Sequence, residues 1–567
     1  MLKFAVFKNI VAAFVVATVL VSCSSESDTP IYDVVIGGGT IYDGSGNPPI
    51  VGDVAMIGDR IVAIGDIPTG VTHNYIDATG MAVSPGFINM LSWAPTTLME
   101  DGRAMSDSKQ GVTLEVFGEG WSEGPYSEDM AADAQARQGD IKFDLTWRTV
   151  GQFLETLEAK GVSPNVASFV GATTLRINQI GYEDRPATAE EIANMQNYVR
   201  EAMREGAMGV GSSLIYAPAN YADTAELIAL NKAAAEYDGM YISHMRSESA
   251  GLLDALEELI TIAREAGVPA EIYHLKASGI PNWGKLDQAI DRVNAARAEG
   301  LKITADMYTY PASSTGLNAS MPLWVQEGGH EKWMARLRDP EIQARLIREM
   351  QSTETARNQW TDVGPDRTML VSFRNPDLRH LIGKTVTEAA EIRGETPEQT
   401  AINLILEDDS RVGVVYFSMD PENIAKKAVL PWVSFGSDAG APATEGVFLN
   451  SGTHPRAYGT FTRVIGKFVR DDGLMPMEEA IRKLTNLPAT NLKLRDRGLL
   501  AEGYYGDVVV FDPANVRDNA TFAEPHQYST GVLHVFVNGT QVLKDGEHTG
   551  ATPGRVVRGP GWTGWSN

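Results

Sequence analysis

Through the middle of the chain, short apolar runs typical of β-strands alternate with longer amphipathic stretches. The stretches 249–267 and 286–300 place apolar residues at helical spacing, and a β-rich run precedes each of them. This alternation indicates βα units around a parallel sheet, so the predicted fold class is α/β. The candidate strands lie near residues 82–89, 112–117, 166–171, 207–212, 240–244, 270–274, 302–308 and 432–438. Eight such strands predict a (β/α)8 TIM barrel over residues 85–496.

The two ends of the chain have a different pattern, in which short β runs are separated by Gly and Asp turns. Such runs fill residues 32–84 and return in residues 497–558, where Asn538-Gly539 between two β runs is a strong hairpin signal. Gly37-Gly38-Gly39 has no helical pattern after it, so we interpret it as a turn between strands rather than a phosphate loop. The β runs at the two ends of the chain therefore predict one small β domain to which both ends contribute.

A long segment interrupts the alternating pattern before the last candidate strand. Residues 312–430 are too many for one connection, and they contain a helical pattern at 331–350 and two further β runs, at 369–373 and 414–417. We interpret part of this segment as a lid over the mouth of the barrel, because long insertions at a barrel mouth often cover the site.

Composition narrows the possible functions. With 567 residues, 43% of them hydrophobic and 21% charged, the chain has the make-up of a globular protein of more than one domain, not of a disordered or multi-span membrane protein. The net charge of −25 repels phosphate backbones, so we expect no nucleic-acid partner. The chain contains one Cys and nine His, and any metal site must therefore use His, Asp or Glu.

The longest apolar run lies near the N-terminus, at residues 10–21, after two Lys residues. It is too short to span a bilayer comfortably and is typical of a signal-peptide core. The segment resembles a bacterial lipoprotein signal, in which residues 1–22 are removed and Cys23 is acylated; the alternative is an ordinary signal peptide with a chance Cys. Residues 23–31 then form a linker. We expect an exported protein, anchored to a membrane by lipid at the periplasmic face.

Polar side chains follow several candidate strands, at the ends where a barrel carries its reactive groups. His244 and His274 end two consecutive strands, and Asp438 ends the last one. Neutral imidazoles bind Zn²⁺, and a carboxylate takes a proton from water and returns it to a leaving amine, so this set is typical of metal-assisted hydrolysis. A single His at a strand end is more often a buried hydrogen-bonded residue. Among the other histidines, His454 stays open as a further candidate.

Several motifs occur along the chain in a specific order: Ser84-Pro85-Gly86-Phe87-Ile88, Gly111-Val112-Thr113, Ser243-His244-Met245-Arg246-Ser247-Glu248, His274-Leu275-Lys276-Ala277-Ser278-Gly279, Asp306 to Tyr310, Gly436-Ser437-Asp438, His454 to Phe461 and Asp545 to Gly550. Together they resemble the amidohydrolase superfamily and, within it, the N-acyl-D-amino-acid deacylases, or D-aminoacylases. The resemblance covers residues 32–558 and implies a barrel with a small β-sandwich, composed here of residues 32–84 plus 497–558.

The resemblance also implies roles for individual residues. His244 and His274 match ligands of the family's tight metal site, and Asp438 matches the catalytic carboxylate. The residues that match those holding the substrate's α-carboxylate are Lys276, Tyr308 and Arg456. An Arg can grip a carboxylate with two hydrogen bonds, while Lys and Tyr add charge and a donor. A structural salt bridge is the alternative for Lys276 and Arg456.

Two departures from the family pattern concern the metal. The His-x-His positions of the superfamily hold Leu91 and Trp93, so we expect no second-metal site and one Zn²⁺ per chain. The family's third ligand is a Cys after the second strand, and without a gap Gly120 takes its position. We predict that Glu119 replaces this ligand, because His₂Glu is a known catalytic zinc set, with Glu115 as the alternative.

These features predict a metal-dependent hydrolase that cleaves the amide of N-acyl-D-amino acids or related D-residue peptides, with a small-molecule substrate. Two other hypotheses stay open: a non-catalytic anchored ligand-binding protein on the same scaffold, and a dipeptide hydrolase of the same superfamily. Hydrolysis of cyclic amides is less expected, because the relatives that perform it rely on a binuclear site.

Overall fold

The computed structural model describes residues 31–68, 72, 74–353 and 359–565. The predicted signal segment 1–22 and Cys23 lie outside these ranges, so the acylation of Cys23 stays a prediction. Among the helices of the described ranges, none is both long enough and apolar enough to cross a membrane.

Strands occur at both ends of the described chain, through its middle and in the long inserted segment. In chain order they are β1 (Val34–Ile41), β2 (Ile50–Ile57), β3 (Arg60–Gly65), β4 (Tyr75–Asp77), β5 (Ala82–Pro85), β6 (Phe87–Asn89), β7 (Val112–Phe117), β8 (Asn165–Ser168), β9 (Val170–Gly171), β10 (Gly209–Ser213), β11 (Met240–His244), β12 (Ala270–Ile272), β13 (Ile303–Met307), β14 (Ser313–Gly316), β15 (Thr368–Ser372), β16 (Gly413–Tyr416), β17 (Val433–Phe435), β18 (Val508–Phe511), β19 (Val532–Val537), β20 (Thr540–Lys544) and β21 (Glu547–His548).

Helices connect most of the central strands. They are α1 (Pro95–Glu100), α2 (Met105–Ser108), α3 (Glu128–Ala136), α4 (Val150–Lys160), α5 (Ala172–Ile180), α6 (Ala189–Arg204), α7 (Thr224–Ala235), α8 (Leu252–Ala266), α9 (Lys285–Ala298), α10 (His330–Leu337), α11 (Pro340–Met350), α12 (Gln359–Val363), α13 (Val386–Arg393), α14 (Pro397–Asp408), α15 (Pro421–Ala428), α16 (Arg456–Arg463), α17 (Met477–Leu484) and α18 (Asn486–Asn491). A π-helix, Val464–Asp471, continues α16. Short 3₁₀ helices lie at Ala219–Tyr221, Ile280–Asn282, Leu317–Ser320, Leu323–Gln326, Pro365–Arg367, Pro376–Leu381 and Gly446–Asn450.

The central strands are parallel and follow one another in sequence order. One sheet has the order β6-β7-β8 and the next β9-β10-β11-β12-β13-β17, with only Phe169 between β8 and β9. A backbone hydrogen bond of 2.9 Å joins the ends of this series, from the amide of Asp438 after β17 to the carbonyl of Leu91 after β6. The predicted α/β class is confirmed, and each of the eight candidate strand segments contains a strand.

The helices between these strands are amphipathic, and α8 shows the pattern. Its buried residues recur at helical spacing and face the main apolar cluster: Leu252, Ala255, Leu256, Leu259, Ile260, Ile262, Ala263 and Ala266. Each fully buried Leu or Ile side chain contributes about 1.5–3 kcal/mol. Gly267 ends the helix in the left-handed conformation, as helix C-termini commonly do.

The two ends of the chain meet in one nine-stranded sheet of order β21-β20-β19-β18-β5-β1-β2-β3, in which β4 also pairs with β1. The predicted hairpin at Asn538-Gly539 is confirmed between β19 and β20. The turn expected at Gly37-Gly38-Gly39 is wrong: these glycines lie inside β1, where the register with β2 shifts between Ile36 and Gly39. Such a shift is a β-bulge, and glycine tolerates the local kink that it causes.

The segment 312–430 contains a three-stranded antiparallel sheet of order β14-β16-β15. It packs with nearby helices around an apolar cluster of its own, which includes Trp333 and Tyr416. The helical stretch expected at 331–350 is two helices, because Pro340 begins α11 and Asp339 caps it. Residues of β14 line the cavity that contains the predicted site residues.

Candidate metal centre and active site

Three of the predicted site residues converge where parallel strands end. Glu119 lies two residues after β7, His244 is the last residue of β11, and His274 lies two residues after β12. The Glu119 Oε1 atom is 2.9 Å from His244 Nδ1 and 2.9 Å from His274 Nε2. One ligand atom from each of these buried residues lies within 4.8 Å of the others. Two imidazoles and a carboxylate are a catalytic zinc set, so these donors fit a divalent cation.

The backbone beside Glu119 explains why this residue, and not its neighbour, presents a side chain. Gly118 and Gly120 have φ angles of 106° and 73°, in the region that favours glycine. A Cβ on Gly120 would lie 2.4 Å from the Cβ of Ser213, and a Cβ on Gly118 would lie 2.5 Å from the carbonyl oxygen of Phe169. A Cys at position 120, where the resemblance places the family's ligand, therefore does not fit this backbone.

The electrostatics around the histidines also favour a cation. Glu119 faces Nε2 of His274, and Glu248 Oε1 lies 3.0 Å from Nδ1 of the same ring. Burial and Lys276 act to lower the pKa of His274, but the two carboxylates outweigh them and raise it to about 10. Burial acts to raise the pKa of Glu119, and the charge and hydrogen bonds of the histidines bring it below its usual range. Without a metal, a proton on His274 thus supplies positive charge between two carboxylates.

Glu115, the alternative ligand, lies in a different environment. Its Oε2 accepts a hydrogen bond of 2.8 Å from Asn89 Nδ2, and the same amide lies 3.4 Å from Asp107 Oδ1. Burial raises the pKa of Glu115 to about 7. Of the two candidate carboxylates, Glu119 is therefore the one that contacts both histidines.

Leu91 and Trp93 occupy the positions where the superfamily has His-x-His. The Leu91 side chain is buried, and Trp93 Nε1 donates a hydrogen bond of 2.7 Å to Glu119 Oε2. Neither an alkyl group nor an indole N–H is a metal ligand. In the Glu119 carboxylate, Oε1 thus contacts the two histidines and Oε2 contacts the indole of Trp93.

Asp438 lies three residues after β17 and lines the same cavity as the histidines. Its φ is 51° and that of His274 is 36°, so both residues have a left-handed backbone that non-glycine residues rarely adopt. Strain of this kind costs of order 1–3 kcal/mol and clusters at functional sites. Burial raises the pKa of Asp438, and the positive charge of Arg456 opposes this rise. A carboxyl group with a raised pKa suits proton exchange near neutral pH.

Arg456 and Tyr308 present buried donors that lack acceptors. Arg456 Nη1 lies 2.7 Å from Asp438 Oδ2, which makes an ion pair. Among the described residues, however, Arg456 Nε and the Tyr308 hydroxyl have no hydrogen-bond partner. The guanidinium lies 4.5 Å from the centre of the Tyr308 ring. Buried donors normally find acceptors, so this pair fits a ligand that brings an acceptor such as a carboxylate.

Lys276 lines the cavity as well, but its ammonium group is engaged within the protein. Its Nζ lies 2.5 Å from Glu248 Oε1, 2.8 Å from His274 Nδ1 and 3.1 Å from the His274 carbonyl oxygen. The Glu248 carboxylate and the His274 carbonyl are acceptors, so at least two of the three ammonium N–H groups are engaged within the protein. The salt bridge that the sequence left as the alternative for Lys276 is thus present, with Glu248 as its partner.

The site residues line one cavity of about 1050 Å³, a size that fits a small molecule. Part of its wall is aromatic and comes from Trp93, Trp121, Phe143 and Phe448. Another part is rich in hydroxyl groups and comes from β14 of the inserted segment. The cavity can therefore contact both apolar and polar portions of a ligand.

His454 is not one of the converging donors. Its Nε2 lies 3.0 Å from the carbonyl oxygen of Ala312, and its Nδ1 accepts a hydrogen bond of 3.0 Å from the Arg456 amide. These contacts hold the start of α16, where Arg456 lies. Sequence reasoning missed the roles of Glu248 and Trp93 as partners of His274 and Glu119, although Glu248 belongs to the motif that begins at Ser243.

Comparison with known proteins identifies relatives over most of the chain. Residues 74–543 match the model of the amidohydrolase family. The D-aminoacylase of Alcaligenes xylosoxydans xylosoxydans is 33% identical over 537 residues, which cover 94% of this chain and 99% of the relative.

Two solved structures are similar in fold. A D-aminoacylase studied for one-metal activation and second-metal attenuation of its binuclear centre has a TM-score of 0.78 and 31% identity, over 93% of this chain and 100% of that chain. The N-acyl-D-glutamate deacylase of Bordetella bronchiseptica, complexed with zinc and a phosphonate inhibitor that mimics the tetrahedral intermediate, has a TM-score of 0.77 and 29% identity, over 93% and 99% of the two chains. From the family match and the D-aminoacylase relative, we conclude that this chain belongs to the amidohydrolase family.

Proposed function

We propose that this chain is a metal-dependent hydrolase that cleaves the amide bond of N-acyl-D-amino acids or related D-residue peptides. The observation that carries the proposal is the convergence of Glu119, His244 and His274 in one cavity with Asp438 and Arg456, whose Nε has no hydrogen-bond partner among the described residues. The D configuration is supported by the similarity to a D-aminoacylase and an N-acyl-D-glutamate deacylase.

The metal we propose is Zn²⁺, one per chain, with Glu119 Oε1, His244 Nδ1 and His274 Nε2 as its ligands. When bound, zinc supplies Lewis-acid chemistry, which polarises an amide carbonyl and makes water a stronger acid. The two carboxylates around His274 supply the negative charge that such a cation needs, and Glu248 holds the ring in place through Nδ1.

Asp438 is the residue that moves the proton in this proposal. Its carboxylate takes a proton from the attacking water and returns it to the nitrogen of the leaving amine. The raised pKa of Asp438 favours holding the proton between these two steps. The ion pair with Arg456 orients the carboxylate while it does so.

Arg456 and Tyr308 hold the α-carboxylate of the substrate. The Arg456 guanidinium lies beside Asp438, so a carboxylate bound to Arg456 Nε and the Tyr308 hydroxyl would leave the neighbouring amide near the proton-transferring group. Lys276 adds positive charge 5.7 Å from the centre of the Tyr308 ring while it stays bonded to Glu248. Positioning of this kind accelerates a reaction by holding the reacting groups in one geometry.

A panel of matched enantiomers tests the function. Zinc-loaded protein is incubated with N-acetyl-D- and N-acetyl-L-amino acids of the same side chains and with dipeptides that contain a D residue. We expect turnover of D substrates and little or none of their L counterparts. Absence of turnover across the panel, in protein shown to contain zinc, would overturn the proposal, and turnover of L substrates alone would overturn the stereochemical part.

We also propose that the parallel strands close into a (β/α)8 barrel over 85–496, with a lid region within 312–430. The hydrogen bond between the two ends of the strand series supports closure. Residues 32–84 plus 497–558 are proposed to form a β-sandwich, because Val54 of β2 and Phe536 of β19 share one apolar cluster although four steps separate these strands in the sheet order. A curled sheet of this kind packs its two halves face to face.

Finally, we propose that the mature protein begins at Cys23 and is lipid-anchored at the periplasmic face of a bacterial membrane. The apolar run before this lone Cys supports the proposal. A Cys23→Ala variant is expected to leave the membrane fraction, with Ser24→Ala as the control that stays. Fractionation of Cys23→Ala with membranes, as in the unchanged protein, would show that the anchor is wrong.

A further inference from the structure

We propose that Trp93 is a positioning residue that directs Glu119 toward a single cation and keeps a second cation away from its carboxylate. This inference rests on the proposed metal-dependent function. It assigns a role to an indole that neither the family pattern nor the proposed reaction uses.

The two oxygens of Glu119 have different partners. Oε1 lies 2.9 Å from a ring nitrogen of each of His244 and His274, and Oε2 accepts the indole N–H of Trp93 over 2.7 Å. The side chain of Glu119 is 4% exposed, so water does not compete effectively for either oxygen. The indole bond therefore determines which oxygen faces the histidines.

Trp93 is itself held in place by its backbone. Its amide donates a hydrogen bond of 2.9 Å to the carbonyl of Ala439, the residue after Asp438, and Ser92 forms a parallel bridge with Ala439. The indole thus connects the strand end that carries Asp438 to the carboxylate after β7. These contacts fix the main chain from which the indole reaches Glu119.

The chemistry of the indole excludes a second cation at Oε2. An indole N–H only donates, and it presents positive charge toward the oxygen that it contacts. A carboxylate that bridges two metals uses one oxygen for each, but here Oε2 faces a donor. The carboxylate is left with one oxygen for one metal.

Zinc binding to metal-free protein tests this inference without reference to activity. Three variants are compared with the unchanged chain: Trp93→Phe, which removes the N–H and keeps an aromatic ring; Trp93→His, which offers a ligand nitrogen; and Trp121→Phe as the control. Trp121 lines the same cavity and is 38% exposed, close to the 42% of Trp93. Calorimetry and metal analysis give the zinc affinity and the number bound, and thermal unfolding shows that each variant is folded.

We expect the unchanged chain and Trp121→Phe to bind one zinc with the same affinity. Trp93→Phe is expected to bind it about 10–100-fold more weakly, as loss of an outer hydrogen bond to a metal ligand commonly causes. Trp93→His is expected to bind a second, weaker zinc. With cobalt in place of zinc, the visible absorption bands are expected to change in Trp93→Phe and not in Trp121→Phe, because they report ligand geometry.

An unchanged zinc affinity in folded Trp93→Phe, or a second zinc at this site in the unchanged chain, would overturn the inference while leaving the proposed hydrolase intact. A chain that binds no zinc at all would instead overturn the proposed function, and this inference with it.

Discussion

Glu248 Oε1 lies 3.0 Å from His274 Nδ1, on the opposite side of the imidazole from the nitrogen that faces Glu119. A His ligand held by a carboxylate in this way has a defined ring orientation and a stronger ligand nitrogen. The same carboxylate binds Lys276 and lies 3.6 Å from His244 Nε2. Glu248 thus contacts both histidines and the ammonium group of Lys276.

Replacement of Glu248 by Gln is expected to weaken zinc binding by about 10–100-fold, because the buried negative charge that orients His274 is lost. Competition with a chelator of known affinity measures the change. Glu236→Gln is the matched control, since Glu236 pairs with Arg200 at the surface. Equal zinc affinity in the Glu248→Gln and Glu236→Gln variants would show that Glu248 has no part in the metal centre.

Arg456→Lys is expected to lower kcat/KM for N-acyl-D-amino acids by about 10–100-fold, because a hydrogen bond to a charged group contributes about 1.5–3 kcal/mol. Tyr308→Phe removes one neutral donor, so its effect is expected to be smaller, about 2–10-fold. Steady-state kinetics on both variants gives these ratios. Substrates in which the carboxylate is replaced by a neutral amide should show a smaller loss in Arg456→Lys, because only the altered ion pair with Asp438 then contributes; an equal loss on both kinds of substrate would show that Arg456 does not bind the substrate carboxylate.

Asp438→Asn is expected to keep its zinc and to lose about 10²–10⁴-fold in kcat, the range that general acid–base catalysis contributes. The Asp438 side chain makes no hydrogen bond to the three metal donors, so the variant is expected to keep its metal content while its turnover falls. Metal analysis and single-turnover rates on the same sample check this. Loss of zinc together with activity would make Asp438 a metal ligand rather than the proton-transfer group.

Glu271, in β12, is expected to make stability depend on pH. Burial raises its pKa from 4.5 to about 7, against the hydrogen bonds from Thr304 and Asn491. Between these two values the folded state binds more protons than the unfolded state, so its contribution is fully present below pH 4.5 and is lost as pH rises through 7.

Glu271→Gln removes this titration and keeps acceptors for Thr304 and Asn491. Thermal unfolding between pH 5 and 8.5 is therefore expected to show a smaller fall in Tm for the variant than for the unchanged chain, and the two curves should separate at the alkaline end. Parallel curves would mean that Glu271 does not titrate in this range.

The positions of the strands and of the main donors could be predicted from the sequence. Short apolar runs mark the segments that contain β7, β11 and β12, and parallel strands bring the residues that follow them to one edge of the sheet. His244 and His274 therefore came together as expected. The proposed replacement of the family's Cys ligand by Glu119 has a local reason as well, since the backbone at Gly120 has no space for a Cβ.

The partners of these donors could not be predicted, because they depend on packing between distant parts of the chain. Trp93 and Glu119 are 26 positions apart and meet only when β6 and β7 pair. Lys276 pairs with the carboxylate of Glu248. The sequence pattern alone does not show whether the partner of Lys276 is this side chain or the carboxylate of a substrate. The bulge in β1 likewise depends on its register with β2, whereas the break at Pro340 had a visible signal in Asp339-Pro340.

Zinc content and turnover of an N-acetyl-D-amino acid, measured together in Glu119→Gln and Glu115→Gln, test the central claim most directly. Both substitutions remove one buried carboxylate near the end of the same strand, but only Glu119 contacts both His244 and His274. We expect Glu119→Gln to lose zinc and turnover together, and Glu115→Gln to keep both. Retention of zinc and full turnover by Glu119→Gln, or their loss in Glu115→Gln alone, would contradict this assignment of the metal centre.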